Sequence, residues 1–285
     1  MSIKLELQNV TYYYGKGTAF EVKALDNVSF AVKERSITGL IGHTGSGKST
    51  LAQLFNGLEK PTEGKVLLDG ADIWDKKYKG GRLCFRVGLV MQYPEYQLFE
   101  ETVFNDIAFG PRNKGMSEDE VKQLVMDAVS FVGMTPEILE QSPFDLSGGQ
   151  KRRVAIAGIM AMQPEVLVLD EPAAGLDPAG RADIFAGIKR YRDTTGASVI
   201  IISHSMEDMA EYCDDVIVMH KGKVMLTGPK DSVFADSDKL VAAGLDIPQI
   251  TRVMRLLKEN GLDVDASVCT KDQAVAELIR AFKLK

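Results

Sequence analysis

The string Gly42-His43-Thr44-Gly45-Ser46-Gly47-Lys48-Ser49 follows the spacing G-x4-G-K-[ST], which is a phosphate-binding loop when it joins a strand to a helix. Glycines allow successive backbone N–H groups to converge on phosphate oxygens, and the helix that begins at Lys48 favours an anion at its N-terminus. Lys48 is then placed to reach the β and γ phosphates of a nucleoside triphosphate, with the Ser49 hydroxyl, followed by Thr50, available to Mg2+. A second group, Asp170-Glu171, ends the apolar run Val166-Leu167-Val168-Leu169. Period-two geometry turns the two carboxylates different ways, so Asp170 is expected to face Mg2+ through water and Glu171 to polarise the attacking water as general base. Taken alone, the pair could equally be an acidic cap at a strand-to-helix turn. A third group, Ser147-Gly148-Gly149-Gln150, opens a helix that continues Lys151-Arg152-Arg153. An exposed helix tip with a serine and two glycines can bind an anion, although Ser147 in isolation is also an ordinary N-cap. His204 follows another apolar run, Ser198-Val199-Ile200-Ile201-Ile202, and is placed to hydrogen-bond a γ-phosphate.

These groups require particular elements beneath them. Ile37 to Gly42 reads as a buried strand entering the glycine loop, and Lys48 to Leu58 as a helix closed near Gly57. The unbroken apolar runs at 166–169 and 198–202 suit strands covered on both faces of a parallel sheet, with a helix from Ala179 to Arg192 between them. Lys4 to Leu7 and Val22 to Val32, separated by Gly15-Lys16-Gly17, alternate apolar and polar residues and predict a small antiparallel sheet, to which Lys65 to Asp69 returns. From Glu100 to Ala161 the periodicity is helical, with a Ser117 to Glu120 capping box. Beyond Gly228-Pro229 the pattern becomes helical and polar, including Pro248 to Glu259 and a Thr270 to Gln273 capping box, and predicts a separate C-terminal module.

In this context Leu146-Ser147-Gly148-Gly149-Gln150 resembles the signature of the ATP-binding cassette family. The resemblance extends over about residues 3 to 225 and implies further roles. Gln92, after the strand Val87 to Met91, resembles the glutamine that senses Mg2+ and the γ-phosphate, so Ser49, Gln92 and Asp170 are the implied metal set. Asp177 within Ala174-Gly175-Leu176-Asp177 resembles the D-loop, His204 the switch histidine, and Tyr14 the adenine-stacking aromatic. The implied fold is α/β: a P-loop NTPase, RecA-like core with an N-terminal antiparallel β subdomain, a helical signature subdomain at about 93–160, and a small C-terminal extension. The cassette domain would span 1–227 and the α-rich extension 228–285. ATP and Mg2+ are the implied cofactors. Because the phosphates of its own nucleotide are held by the glycine loop, the signature makes physical sense as a cap on the nucleotide of a facing subunit.

The stretch from Gln92 to Val103, with Phe109-Gly110-Pro111, Ser142-Pro143-Phe144-Asp145 and Pro172-Ala173-Ala174, is similar to the ATPase subunits of energy-coupling factor transporters, most closely the second of their two paired types. That resemblance implies a sister ATPase as partner in a homodimer or heterodimer, a transmembrane scaffold subunit, a membrane substrate-binding subunit, and a position on the cytoplasmic face of the cell membrane. Arginines on the scaffold's coupling helices would meet Glu95, Glu100 or Glu101, a cluster that could otherwise be merely solvated. A conventional importer ATPase and a soluble non-transport cassette are the alternative assignments.

Composition narrows the field. The 285 residues carry 34 Lys plus Arg against 40 Asp plus Glu, a net charge of −6 that disfavours a nucleic-acid footprint or a polybasic membrane anchor. Cys84, Cys213 and Cys269 are widely separated and lack a C-x-x-C pair, which suits reduced thiols better than zinc or a disulfide framework. No apolar run approaches the ~20 residues that span a bilayer. His43, a variable position of the loop, and His220 are expected to be solvated, and Trp74 and the methionines to fill core or surface.

Overall fold

The computed structural model describes residues 2–78 and 82–282. The chain opens with a long hairpin, β1 (Ile3–Tyr14) and β2 (Val22–Lys33), then crosses into β3 (Ile37–Gly42) and turns directly into α1 (Lys48–Phe55). β4 (Glu63–Leu68) and β5 (Ala71–Asp72) return to the hairpin, giving an antiparallel sheet in the order β2-β1-β4-β5. β6 (Val87–Val90) leads through a 3-10 turn at Pro94–Gln97 into α2 (Val103–Asn113), α3 (Glu118–Phe131) and α4 (Gly148–Ala161). There follow β7 (Val166–Asp170), α5 (Pro178–Thr195), β8 (Ser198–Ile202), α6 (Met206–Tyr212), β9 (Asp215–His220) and β10 (Lys223–Pro229). The second sheet runs β10-β9-β3-β8-β7-β6, parallel from β9 to β6 with β10 added antiparallel.

The central strands are apolar throughout because both of their faces are covered. Leu167 and Leu169 of β7 and Val199 and Ile201 of β8 join one core with the helical stretch, while Val166, Val168, Ile200 and Ile202 join a second core with α1 and the antiparallel sheet. Each fully buried aliphatic side chain of this kind contributes about 1.5–3 kcal/mol, so this two-sided burial fixes the strands that end at the site. α1 is shorter than its periodicity suggested. It stops at Phe55, and Gly57 at φ +75° takes the chain away in a left-handed turn packed under Leu83.

Ser117 and Glu120 cap α3 reciprocally, as their spacing predicted. The last helices are α7 (Lys230–Ala235), α8 (Ser237–Ala242), α9 (Gln249–Glu259) and α10 (Lys271–Phe282). Residues past 228 divide in their packing. Val233, Phe234, Leu240, Leu245 and Ile247 bury themselves in the main core, whereas Met254, Val264, Val268 and Ala274 form a small cluster of their own between α9 and α10. Thr270 and Gln273 cap α10 reciprocally. No described helix is long and apolar enough to cross a membrane.

Candidate active site

The glycine loop lies at the C-terminal edge of β3, and two of its glycines are required by contact as well as by torsion. A Cβ on Gly42 (φ +152°) would come 2.4 Å from the Met219 carbonyl oxygen, and one on Gly47 (φ +103°) 2.9 Å from the Ala24 carbonyl oxygen. Lys48 is buried within the loop, where its Nζ donates to the carbonyls of Gly42 at 2.5 Å and His43 at 2.9 Å. Burial lowers the pKa of Lys48, opposed by the charges of Asp170 and Glu171.

A cleft of about 400 Å³ gathers Tyr14, Lys48, Ser49, Gln92, Asp170, Glu171 and His204, together with Thr44, Gly45, Gly47 and Thr50. Residues from five separate stretches of sequence thus meet at one sheet edge, where open α/β folds bind ligands. Asp170 closes β7 opposite Ile202 of β8. Glu171, the next residue, adopts φ +52° and donates its N–H to the Ile202 carbonyl at 2.9 Å. Its Oε2 accepts from Ser203 Oγ at 3.3 Å; its Oε1 is buried without a hydrogen bond, 3.5 Å from His204 Nε2. Ser203, which sequence reasoning passed over, is therefore a neighbour of the Glu171 carboxylate; its position beside His204 was the available signal. Burial raises the pKa of Asp170, and Glu171 beside it raises it further, against the opposing charges of Lys48 and His204. Two crowded carboxylates, an unpartnered Oε1 and an exposed Ser49 hydroxyl fit a small divalent cation that completes its shell with water and phosphate oxygens.

The remaining candidates are placed as follows. The Tyr14 hydroxyl bonds to Thr50 Oγ1 at 3.0 Å and donates to Gln53 Oε1 at 3.3 Å, which fixes the ring as a cleft wall in edge contact with Tyr12. Ser46 is buried, with its Oγ unpartnered. The His43 side chain turns to the C-terminal segment, where Nε2 is 3.1 Å from the Ala243 carbonyl oxygen. Ser147 is the N-cap of α4 and forms a capping box with Gln150; both are exposed, as is Gly148, and none of residues 147–150 lines the cleft. Asp177 caps α5 by accepting from the Gly180 N–H at 2.7 Å. Of the three acids expected to receive a partner's arginine, Glu95 is paired within the chain to Arg152, Glu100 is half-buried and Glu101 is exposed. Next to them an apolar groove of about 330 Å³ opens between Phe85, Leu98, Phe109, Ile159 and Met162.

Comparison with known proteins gives the class first. The family described as ABC transporter matches residues 25–174. CbiO1 from Clostridium perfringens, described as part of the ABC transporter complex cbiONQ, superimposes with a TM-score of 0.76 at 36% identity, over 90% of this chain and all of that one. The cassette MJ0796, in a dimeric post-hydrolysis state bound to ADP and Pi, superimposes at 0.69 with 27% identity, over 79% of this chain and 98% of that one. Sequence relatives are more specific. Two proteins named energy-coupling factor transporter ATP-binding protein EcfA2 are each 50% identical: one from Caldanaerobacter subterraneus subsp. tengcongensis over 99% of this chain and 98% of its own, one from Clostridium tetani over 100% and 99%. The chain belongs to the ABC transporter family of ATPases, in its branch of EcfA2-type energy-coupling factor ATP-binding proteins.

Proposed function

We propose that this ATPase works as one half of a clamp, pairing with a sister cassette or a second copy so that two ATP molecules are each held by the glycine loop of one chain and the Ser147 helix tip of the other. The observation that carries this reading is the position of residues 147–150 at a helix N-terminus, with Ser147, Gly148 and Gln150 exposed and all four absent from the lining of their own chain's cleft. Within the cleft, Lys48 and the loop N–H groups hold the phosphates, Tyr14 stacks on the base, and Ser49, Asp170 and Gln92 hold Mg2+, which neutralises phosphate charge when bound. Glu171 takes a proton from the attacking water, and His204 orients it against the γ-phosphate. Asp177, exposed at the start of α5, faces the other half of the clamp.

Acting at the cytoplasmic face of the membrane, closure drives a membrane scaffold subunit that carries a substrate-binding membrane subunit and imports vitamins or other micronutrients. Support for the docking site comes from the apolar groove beside Gln97 and Leu98, with Glu100 and Glu101 close in sequence. Val253 and Leu256 on α9 and Val275, Ile279 and Phe282 on α10 are exposed, which supports a pairing role for the extension. The test is Ser147→Arg in a mixed dimer. Hydrolysis should be lost at the nucleotide held by the unmodified partner's glycine loop and retained at the variant's own; loss confined to the variant's own nucleotide would refute the clamp.

A further inference from the structure

Arg152 lies on α4 five residues after Ser147 and is 4% exposed. Its guanidinium forks onto the Glu95 carboxylate, with Nε 3.1 Å from Oε2 and Nη2 3.2 Å from Oε1, and Nη1 donates to the Ala174 carbonyl. It also sits 5.9 Å from the centre of the Tyr93 ring. These partners flank the site. Tyr93 directly follows Gln92 and holds a left-handed φ of +59°, and Glu95 belongs to the 3-10 turn that begins at Pro94. Ala174 lies midway between Glu171 and Asp177, and its N–H returns to the Glu171 carbonyl at 3.2 Å.

Burying an ion pair costs each charge much of its hydration, so such a pair is poor support for stability but can specify geometry. The planar fork of arginine is suited to that: it fixes a carboxylate in direction as well as distance and still has a donor for a third group. We propose that Arg152 is a positioning residue for ATP hydrolysis, locking the segment after Gln92 and the loop after Glu171 to the helix whose tip is Ser147. Movement of that tip onto the opposite nucleotide then seats Gln92 and Glu171 on their own. The inference rests on the clamp reading given above.

The experiment measures steady-state ATPase kinetics of the full-length chain, assembled with the subunits that copurify with it, for Arg152→Lys, Glu95→Gln and the double variant. Each single change should lower kcat by about tenfold or more and leave the KM for ATP within about twofold, because nucleotide binding does not use the tie. The double variant should be no worse than the weaker single, since both changes break one connection. Retention of kcat within about twofold in both single variants, a rise in KM with kcat unchanged, or losses that multiply in the double variant would each overturn the proposal. Should Arg152→Lys not fold, Glu95→Gln alone decides it, because it leaves the arginine and its bond to Ala174 in place. A parallel Ser147→Arg mixed dimer separates the two ideas: turnover retained there at the nucleotide held by the unmodified partner's glycine loop rejects the clamp, whatever the Arg152 variants do.

Discussion

Nε2 of His204 stands 3.5 Å from Oε1 of Glu171, a buried oxygen that accepts no hydrogen bond, while the other carboxylate oxygen takes the Ser203 hydroxyl. One oxygen is thus held and the other has no partner within the chain, which leaves it a free acceptor for the proton that a general base takes. The Glu171→Gln variant keeps the shape and the Ser203 contact but loses the basicity. Its kcat should fall at least about 100-fold, the usual worth of a positioned base, while ATP binding measured by equilibrium titration stays within about twofold. Unchanged turnover would remove Glu171 from this role. His204→Ala should also lower kcat, and by less, since the base itself is retained.

Acid stability should be governed by a cluster far from the cleft. Glu165 accepts from Arg86 (Nε at 2.5 Å, Nη2 at 2.7 Å) and from Lys4 at 2.5 Å, and these partners, Arg86 foremost, hold its carboxyl well below the usual range, at about 2. A carboxylate with a depressed folded-state pKa adds stability above its unfolded value of 4.5, and that contribution disappears as pH falls toward 2. Glu165→Gln should therefore lower the melting temperature at pH 7 and flatten its fall between about pH 4.5 and 2. A parallel fall in variant and parent would show that the cluster does not set the acid limb.

How much of this was readable in advance depended on the range of the interaction. The strands at 166–169 and 198–202 were legible because two-sided burial leaves no polar alternation, and the glycine loop because its backbone requirement is local. The reciprocal caps at Ser117 and Thr270 were equally local, each closing over three residues. By contrast, the Arg152–Glu95 pair joins residues 57 apart, and neither position carries a sign of the other. That pair also changes the reading of the acidic cluster, because composition alone treats Glu95, Glu100 and Glu101 alike. Likewise, periodicity beyond residue 228 gives the apolar face of each helix but not what covers it, so the burial of Phe234 and Leu240 in the main core had no local signature.

The same pair refines the docking test. Reversing Glu95 would set a lysine against the buried Arg152 and damage the fold, so the partner surface is better probed at Glu100 and Glu101. Glu100→Lys with Glu101→Lys should reduce substrate uptake by about tenfold in reconstituted vesicles while ATPase activity of the isolated chain stays within about twofold, as expected for loss of a charge-assisted contact. Full uptake by this double variant would reject an arginine contact at these two acids.

Gly187 gives a prediction about the scaffold beneath the site. It is buried on α5, where a Cβ would fall 1.6 Å from the Phe131 carbonyl oxygen and 2.8 Å from its carbon, at the last residue of α3. Arg190, one turn further along α5, donates to the Ser130 carbonyl at 3.0 Å, so α5 is applied directly to the end of α3. The obstacle is backbone rather than a side chain that could rotate away, and relief requires the two helices to separate. Gly187→Ala should cost about 1–3 kcal/mol or more in urea unfolding, the range of overpacked cores, although alanine has the higher helix propensity by nearly 1 kcal/mol. Because α5 begins at the Asp177 cap and α3 precedes the signature, the separation should also displace those two groups and reduce kcat more than ATP affinity. An alanine variant as stable as the parent would mean that the two helices are not pressed together as closely as these distances require.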